Sequence, residues 1–181
     1  MRLRLSVQPG FVAVCCLLLA LDASLPWLLL LTVAVHELGH LLALQCLGTE
    51  DASLELGLGG GVIDCAPLPP GALAITALAG PLANLLWAGL MFFPAPQAAL
   101  LSLGTAAFNL LPVPPLDGGT ALRALVGPQA VAPAAVLAAG AMLALALALR
   151  PRLGLWPLLL CLWALCRAGL ENRLVKRRGT G

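Results

Sequence analysis

The sequence predicts an all-α membrane protein, a polytopic bundle of about six transmembrane helices. Hydrophobic residues make up 61% of the 181-residue chain and charged residues only 10%, too apolar a balance for a water-soluble domain. Apolar runs of roughly 17 to 25 residues, long enough for a helix to cross about 30 Å of hydrocarbon, recur between polar or Pro/Gly breaks. These Ala/Leu-rich runs lack the two-residue alternation of membrane β-strands. We therefore expect one membrane-embedded domain over residues 1–181.

The N-terminal part of the chain contains the first two predicted spans. Arg2 and Arg4 precede an apolar run over 11–21, which a signal peptide would also explain, although no cleavage site stands out after it. A short polar break leads into a second span over 25–47. The polar insertion at 48–70 follows, and its alternating and β-branched stretches predict a small β-hairpin in the loop after the second helix.

Four further spans are predicted, over 71–93, 97–111, 129–149 and 153–170. A short helix is expected over 120–126, and Arg150-Pro-Arg152 is interpreted as a tight turn between the last two spans.

The distribution of basic residues predicts the orientation in the membrane. Six spans place both termini on one side, and because both are basic, the positive-inside rule puts them in the cytoplasm. Arg150 and Arg152 would then lie outside, against the rule. The net charge of +2, with basic residues at the chain ends, does not predict a nucleic-acid partner.

The segment His36-Glu37-Leu38-Gly39-His40 is the strongest chemical signal. Histidines four residues apart share one face of a helix and can both direct a ring nitrogen at one zinc ion. Glu37 lies beside that face, where it can take a proton from water activated by the metal. These are the only two histidines of the chain, and an ionisable cluster inside a span is costly unless it is paired or binds a metal.

A catalytic zinc site needs a third protein ligand and an open position. Most carboxylates of the chain lie in loops or near the tail, whereas Asp117 lies at a Pro/Gly-broken membrane segment. Irregular backbone at membrane depth is tolerated where protein buries it or water lines it. Asp117 is therefore the predicted third ligand, and Gly118 and Gly119 would let the backbone approach the metal.

These motifs together resemble the site-2 protease family of intramembrane zinc metalloproteases. The helical HExxH at 36–40 and the NxxPxPxLDGG at 109–119 look like its two-part metal signature, and Gly80-Pro-Leu-Ala-Asn84 is similar to its GxxxN motif. The resemblance implies that His36, His40 and Asp117 are zinc ligands and that Glu37 is the catalytic base.

Two asparagines have alternative interpretations. By resemblance, Asn109 is catalytic, contacting substrate or helping to stabilise the oxyanion, but an interhelical hydrogen bond would explain it equally well. For Asn84, on a stretch of small residues with Gly80, we favour a packing role.

The interval between the motifs is too short for the PDZ domain that many family members carry. The layout therefore resembles the branch that processes a membrane-associated pro-sigma factor in bacterial sporulation. This implies regulated intramembrane proteolysis by a multi-pass protein of a bacterial cell membrane. Its expected partners are a membrane-associated substrate, such as a membrane-tethered transcription factor precursor, the lipid bilayer, and an inhibitory or activating membrane protein.

Two other functions are weighed against proteolysis. A zinc transporter would also place His and Asp inside the membrane, and a catalytically silent scaffold would retain the fold. A transporter needs no carboxylate like Glu37 beside an open metal site, and a silent scaffold would usually have lost a ligand or the base. The glycine-rich segment 52–64 is either a plain loop or a sheet edge to which a substrate strand is added.

Overall fold

The computed structural model describes residues 1–21, 25–57 and 60–153 as helices and short strands with their connections. In chain order the elements are β1 (Arg2–Val7), α1 (Pro9–Leu21), α2 (Leu25–Cys46), β2 (Asp51–Gly57), β3 (Gly60–Cys65), α3 (Pro70–Met91), α4 (Pro96–Asn109), α5 (Asp117–Val126) and α6 (Pro128–Leu153).

The chain divides into two compact units, residues 1–108 and a second unit that begins at Asn109. In the first unit α2 packs along α3, while α1 contacts α2 and β2. In the second unit α5 packs against α6. The expectation of a single domain over 1–181 stays a prediction.

Helix α3 shows the distribution of side chains that is typical of a helix in lipid. Its buried positions carry small or polar residues: Ala74, Thr76, Ala77, Gly80, Pro81, Asn84 and Ala88. Most of its large aliphatic residues are exposed, and Leu86 and Leu90 are 72% and 69% exposed. Small residues let membrane helices approach closely, and the large apolar ones match the acyl chains. The prediction that the helices lie in lipid follows from this pattern as well as from composition.

Two of the described helices are long and apolar enough to cross a membrane, over Trp27–Cys46 and Pro70–Met91. Helix α4 has 14 residues, which corresponds to about 21 Å of helix against about 30 Å of hydrocarbon. The predicted sixth span lies outside the described residues, apart from its first residue. The number of six spans therefore stays a prediction.

The predicted turn at Arg150-Pro-Arg152 is wrong, because α6 continues to Leu153. Proline removes one backbone hydrogen bond, and membrane helices tolerate that loss when neighbouring groups satisfy the freed carbonyl.

A three-stranded sheet in the order β1-β2-β3 is the main departure from the all-α prediction. The predicted hairpin is confirmed, since β2 and β3 pair antiparallel, with Leu54 opposite Ile63. Strand β1 was not predicted, and it pairs parallel with β2 from Arg2 opposite Asp51 onwards. The alternation of polar and apolar residues in Arg-Leu-Arg-Leu-Ser-Val was the overlooked signal.

The sheet connects the N-terminus to the segment after α2. Because β1 and β2 are neighbours, the chain that enters α1 and the chain that leaves α2 are held together. Two successive helices, α1 and α2, return the chain to the end from which it started, as this pairing requires.

The Pro/Gly-rich break ends where α5 begins at Asp117, three residues before the predicted start at 120. Gly118 and Gly119 lie against the chain's own backbone, because an added Cβ would collide with the carbonyl of Leu110 or with the backbone of Val113 and Pro114. The close packing of this break therefore explains both glycines.

Candidate metal and catalytic site

The two histidines of α2 point their ring nitrogens at each other. Their Nε2 atoms are 3.1 Å apart, and both side chains are buried. Two nitrogen ligands at about 2.0–2.1 Å from a tetrahedral zinc ion would be about 3.3 Å apart. The spacing of His36 and His40 on one helix face therefore gives the separation that a shared zinc ion requires.

Helix α3 contacts the other nitrogen of each ring. His40 Nδ1 lies 2.7 Å from the backbone oxygen of Thr76, to which it donates a hydrogen bond. This bond places the proton of a neutral ring on Nδ1 and leaves Nε2 as an electron-pair donor. His36 Nδ1 lies 3.2 Å from the side-chain amide of Asn84.

Asp117 completes the group that the sequence predicted. One ligand atom from each of His36, His40 and Asp117 lies within 4.8 Å of the others, so the three residues could hold a metal ion. Two imidazoles and one carboxylate suit zinc, and three protein ligands leave a fourth position open for water or substrate.

Glu37 lies next to the histidines in the chain and is 8% exposed. Its carboxylate oxygen Oε1 accepts a hydrogen bond from the backbone N–H of Gly61 at 3.2 Å. An alanine at position 61 would place its Cβ 2.6 Å from Oε2 of Glu37. Strand β3 can therefore approach the carboxylate only because Gly61 has no side chain.

Asn109 is the last residue of α4 and is half-buried. Its predicted catalytic role is untested and stays a prediction.

Three contacts of the site were missed from the sequence: the carbonyl of Thr76, the amide of Asn84 and the N–H of Gly61. Two of these are backbone groups, for which side-chain identity gives no signal. Asn84 had a signal in its spacing of four residues from Gly80, which equals the spacing of the two histidines.

Comparison with known proteins shows what this chain is similar to. Residues 93–149 match Peptidase family M50, the family of site-2 proteases. This match covers about a third of the chain. The site-2 protease resemblance inferred from the sequence is thereby confirmed, and zinc is the cofactor that the family and the three clustered ligands support.

A solved structure and a curated protein are similar to this chain. The "Site-2 Protease from Methanocaldococcus jannaschii" has a similar fold, with a TM-score of 0.67, 24% sequence identity, and coverage of 94% of this chain and 91% of that one. "Putative zinc metalloprotease sll0528" from Synechocystis is 35% identical over 130 residues, which cover 59% of this chain. The match spans about a third, 34%, of that relative's length.

Proposed function

We propose that this chain is an intramembrane zinc metalloendopeptidase. It would hydrolyse a peptide bond in or next to a transmembrane or membrane-associated segment of a substrate protein. The observation that carries the proposal is the 3.1 Å separation of the Nε2 atoms of His36 and His40, with the buried carboxylate of Glu37 between them in the chain. This group belongs to a chain whose helix α3 exposes large aliphatic side chains.

Each residue of the group has a separate task. His36, His40 and Asp117 would hold the zinc ion. When bound, zinc lowers the pKa of a water molecule to about 7 and polarises the carbonyl of the scissile bond. Glu37 would accept the proton of that water and deliver it to the leaving amine. The hydrogen bond from Gly61 fixes the direction of the carboxylate for this transfer.

The substrate must reach this carboxylate as an extended chain, because a helix shields its peptide bonds with its own hydrogen bonds. Strand β3, like β1, is an edge strand of the sheet β1-β2-β3, and it contacts Glu37 through the backbone N–H of Gly61. A substrate strand added to β3 would therefore run beside the general base, with affinity from main-chain hydrogen bonds and little sequence preference. This favours the sheet-edge interpretation of segment 52–64.

The proposed setting is a multi-pass protein of a bacterial cell membrane with both termini in the cytoplasm. A membrane-tethered transcription factor precursor is the proposed class of substrate, as in the sporulation branch that the layout resembles. A regulatory membrane protein is the second proposed partner.

The zinc transporter alternative is less well supported. A transport site needs ligands that release the ion on both sides, and it has no use for a general base held against a strand edge. The contact between Glu37 and Gly61 therefore favours hydrolysis.

The test compares two Glu→Gln variants of the purified full chain. Glu37→Gln should retain zinc and fold but lose cleavage of co-expressed, epitope-tagged membrane proteins, because an amide cannot accept the proton. Glu50→Gln, at an exposed position after α2, is the matched control and should cleave normally. Continued cleavage by Glu37→Gln, or a wild-type protein without zinc, would refute the proposal.

A further inference from the structure

We propose that Asn84 is a positioning residue for the metal ligand His36, accepting a hydrogen bond from Nδ1–H of His36 through its oxygen Oδ1. The inference rests on the proposed zinc site and deepens it. It gives Asn84 the role of fixing the tautomer of His36, whereas the sequence alone favoured a packing role for this residue.

The geometry of Asn84 is that of a dedicated partner. Its side chain is fully buried on α3, and its amide nitrogen Nδ2 is the atom that lies 3.2 Å from Nδ1 of His36. Oδ1 is buried and has no hydrogen-bond partner among the residues that the structure describes. A buried amide oxygen without a donor is destabilising, so a donor is expected for it.

The tautomer of His36 decides which end of the amide faces the ring. If Nε2 binds zinc, the neutral ring carries its proton on Nδ1, and the group beside Nδ1 must be an acceptor. An amide N–H at this place would set two donors against each other. Rotation of the amide by 180° exchanges its ends within nearly the same volume, and only the arrangement with Oδ1 toward Nδ1 is compatible with a ligated His36.

The same logic applies one helical turn away at His40. There the acceptor for Nδ1–H is the carbonyl of Thr76, and Gly80 lies against the ring, where a Cβ would collide with Nε2. Residues later in α2 contact residues earlier in α3, so the two helices run antiparallel. Asn84 therefore lies beside His36, and Gly80 lies beside His40. The two contacts are one helical turn apart.

A purely structural role for Asn84 makes the opposite prediction for two substitutions. If Asn84 only fills space between helices, leucine is tolerated better than aspartate, because aspartate would bury a charge. If Asn84 orients His36, aspartate is tolerated better, because a carboxylate accepts the hydrogen bond from Nδ1–H whereas leucine cannot. The order of the two variants therefore separates the two roles.

The experiment measures zinc affinity by chelator competition on the purified full chain. Asn84→Leu should weaken zinc binding about 10- to 100-fold, the usual effect of removing such a partner, while Asn84→Asp stays close to wild type. Ser102→Ala is the matched control, since Ser102 is equally buried and polar but contacts Thr32 on α2 instead of a metal ligand. It should leave zinc affinity unchanged.

A second measurement does not depend on the variants folding. The chain has only two histidines, so ¹⁵N NMR of histidine-labelled, zinc-loaded wild type should show two rings, each protonated at Nδ1. Wild-type zinc affinity in Asn84→Leu, weaker binding in Asn84→Asp than in Asn84→Leu, or a His36 ring protonated at Nε2 would overturn the inference and leave the zinc site standing. A wild-type protein that binds no zinc would overturn both.

Discussion

Substituting Gly80 by alanine tests whether α3 holds the metal ligands in place. The three atoms nearest to an added Cβ all belong to the ring of His40, with Cε1 at 2.6 Å and Cδ2 at 2.9 Å. Ordinary van der Waals contact begins at 3.4 Å. Because Nε2 lies closer still than Cε1, the ring must move by more than about 0.8 Å. A zinc site tolerates changes in ligand distance of only about 0.2 Å.

We expect Gly80→Ala to lower zinc affinity by about 10- to 100-fold, or about 1.4 to 2.7 kcal/mol. The helix itself should not suffer, because alanine is favoured over glycine inside a helix by about 1 kcal/mol. Loss of metal with a retained fold is therefore the expected signature.

The assay is zinc content and chelator competition on purified protein, with far-ultraviolet circular dichroism to monitor the fold. Gly89→Ala is the matched control, since Gly89 lies on the same helix and an added Cβ there meets nothing within 4 Å. It should bind zinc as the wild type does. Equal zinc affinity in both variants would refute the reasoning, because His40 would then be free to shift without cost to the site.

Three further predictions follow from the structure. Gly61→Ala should push the Glu37 carboxylate aside and lower the rate of cleavage while zinc content stays unchanged; Gly71→Ala, where an added Cβ meets nothing within 4 Å, is its control. Reporter fusions after Pro70 and after Arg123 should both report cytoplasm and a fusion after Arg152 the opposite side; opposite reports from the first two would show the number of spans to be wrong. Burial, and then the neighbouring Asp64 carboxylate, raise the pKa of the Cys65 thiol, so Asp64→Asn should speed its alkylation at pH 8, as followed by peptide mass spectrometry. An unchanged alkylation rate would contradict the charge effect of Asp64.

The sheet shows where sequence patterns succeed and where they fail. The hairpin of β2 and β3 was predictable, because its two strands are adjacent in the chain and joined by glycines. Strand β1 also alternates, but it pairs with residues about 50 positions later in the chain. Whether such a short strand finds a partner depends on the return of the chain through α1 and α2, which local periodicity does not encode.

The helix ends show the same limit. The predicted second and third spans, 25–47 and 71–93, differ from α2 and α3 by at most two residues at each end. The start of α5 and the end of α6 were misjudged, because glycine and proline were interpreted as helix breakers. Close packing of the break at 110–119 and continuation of the apolar helix outweigh those local preferences.

The sequence by itself determined the apolar environment, the α2 motif with His36 and His40 on one face, and the choice of Asp117 as third ligand. These follow from composition, from helical spacing and from the chemistry that zinc requires. Only the tertiary structure decided that Thr76 and Asn84 lie against the two rings and that Gly61 lies against Glu37. Such contacts depend on how far one helix or strand is shifted along its neighbour, and that shift is set by side-chain packing across the interface, which the period of a single segment does not contain.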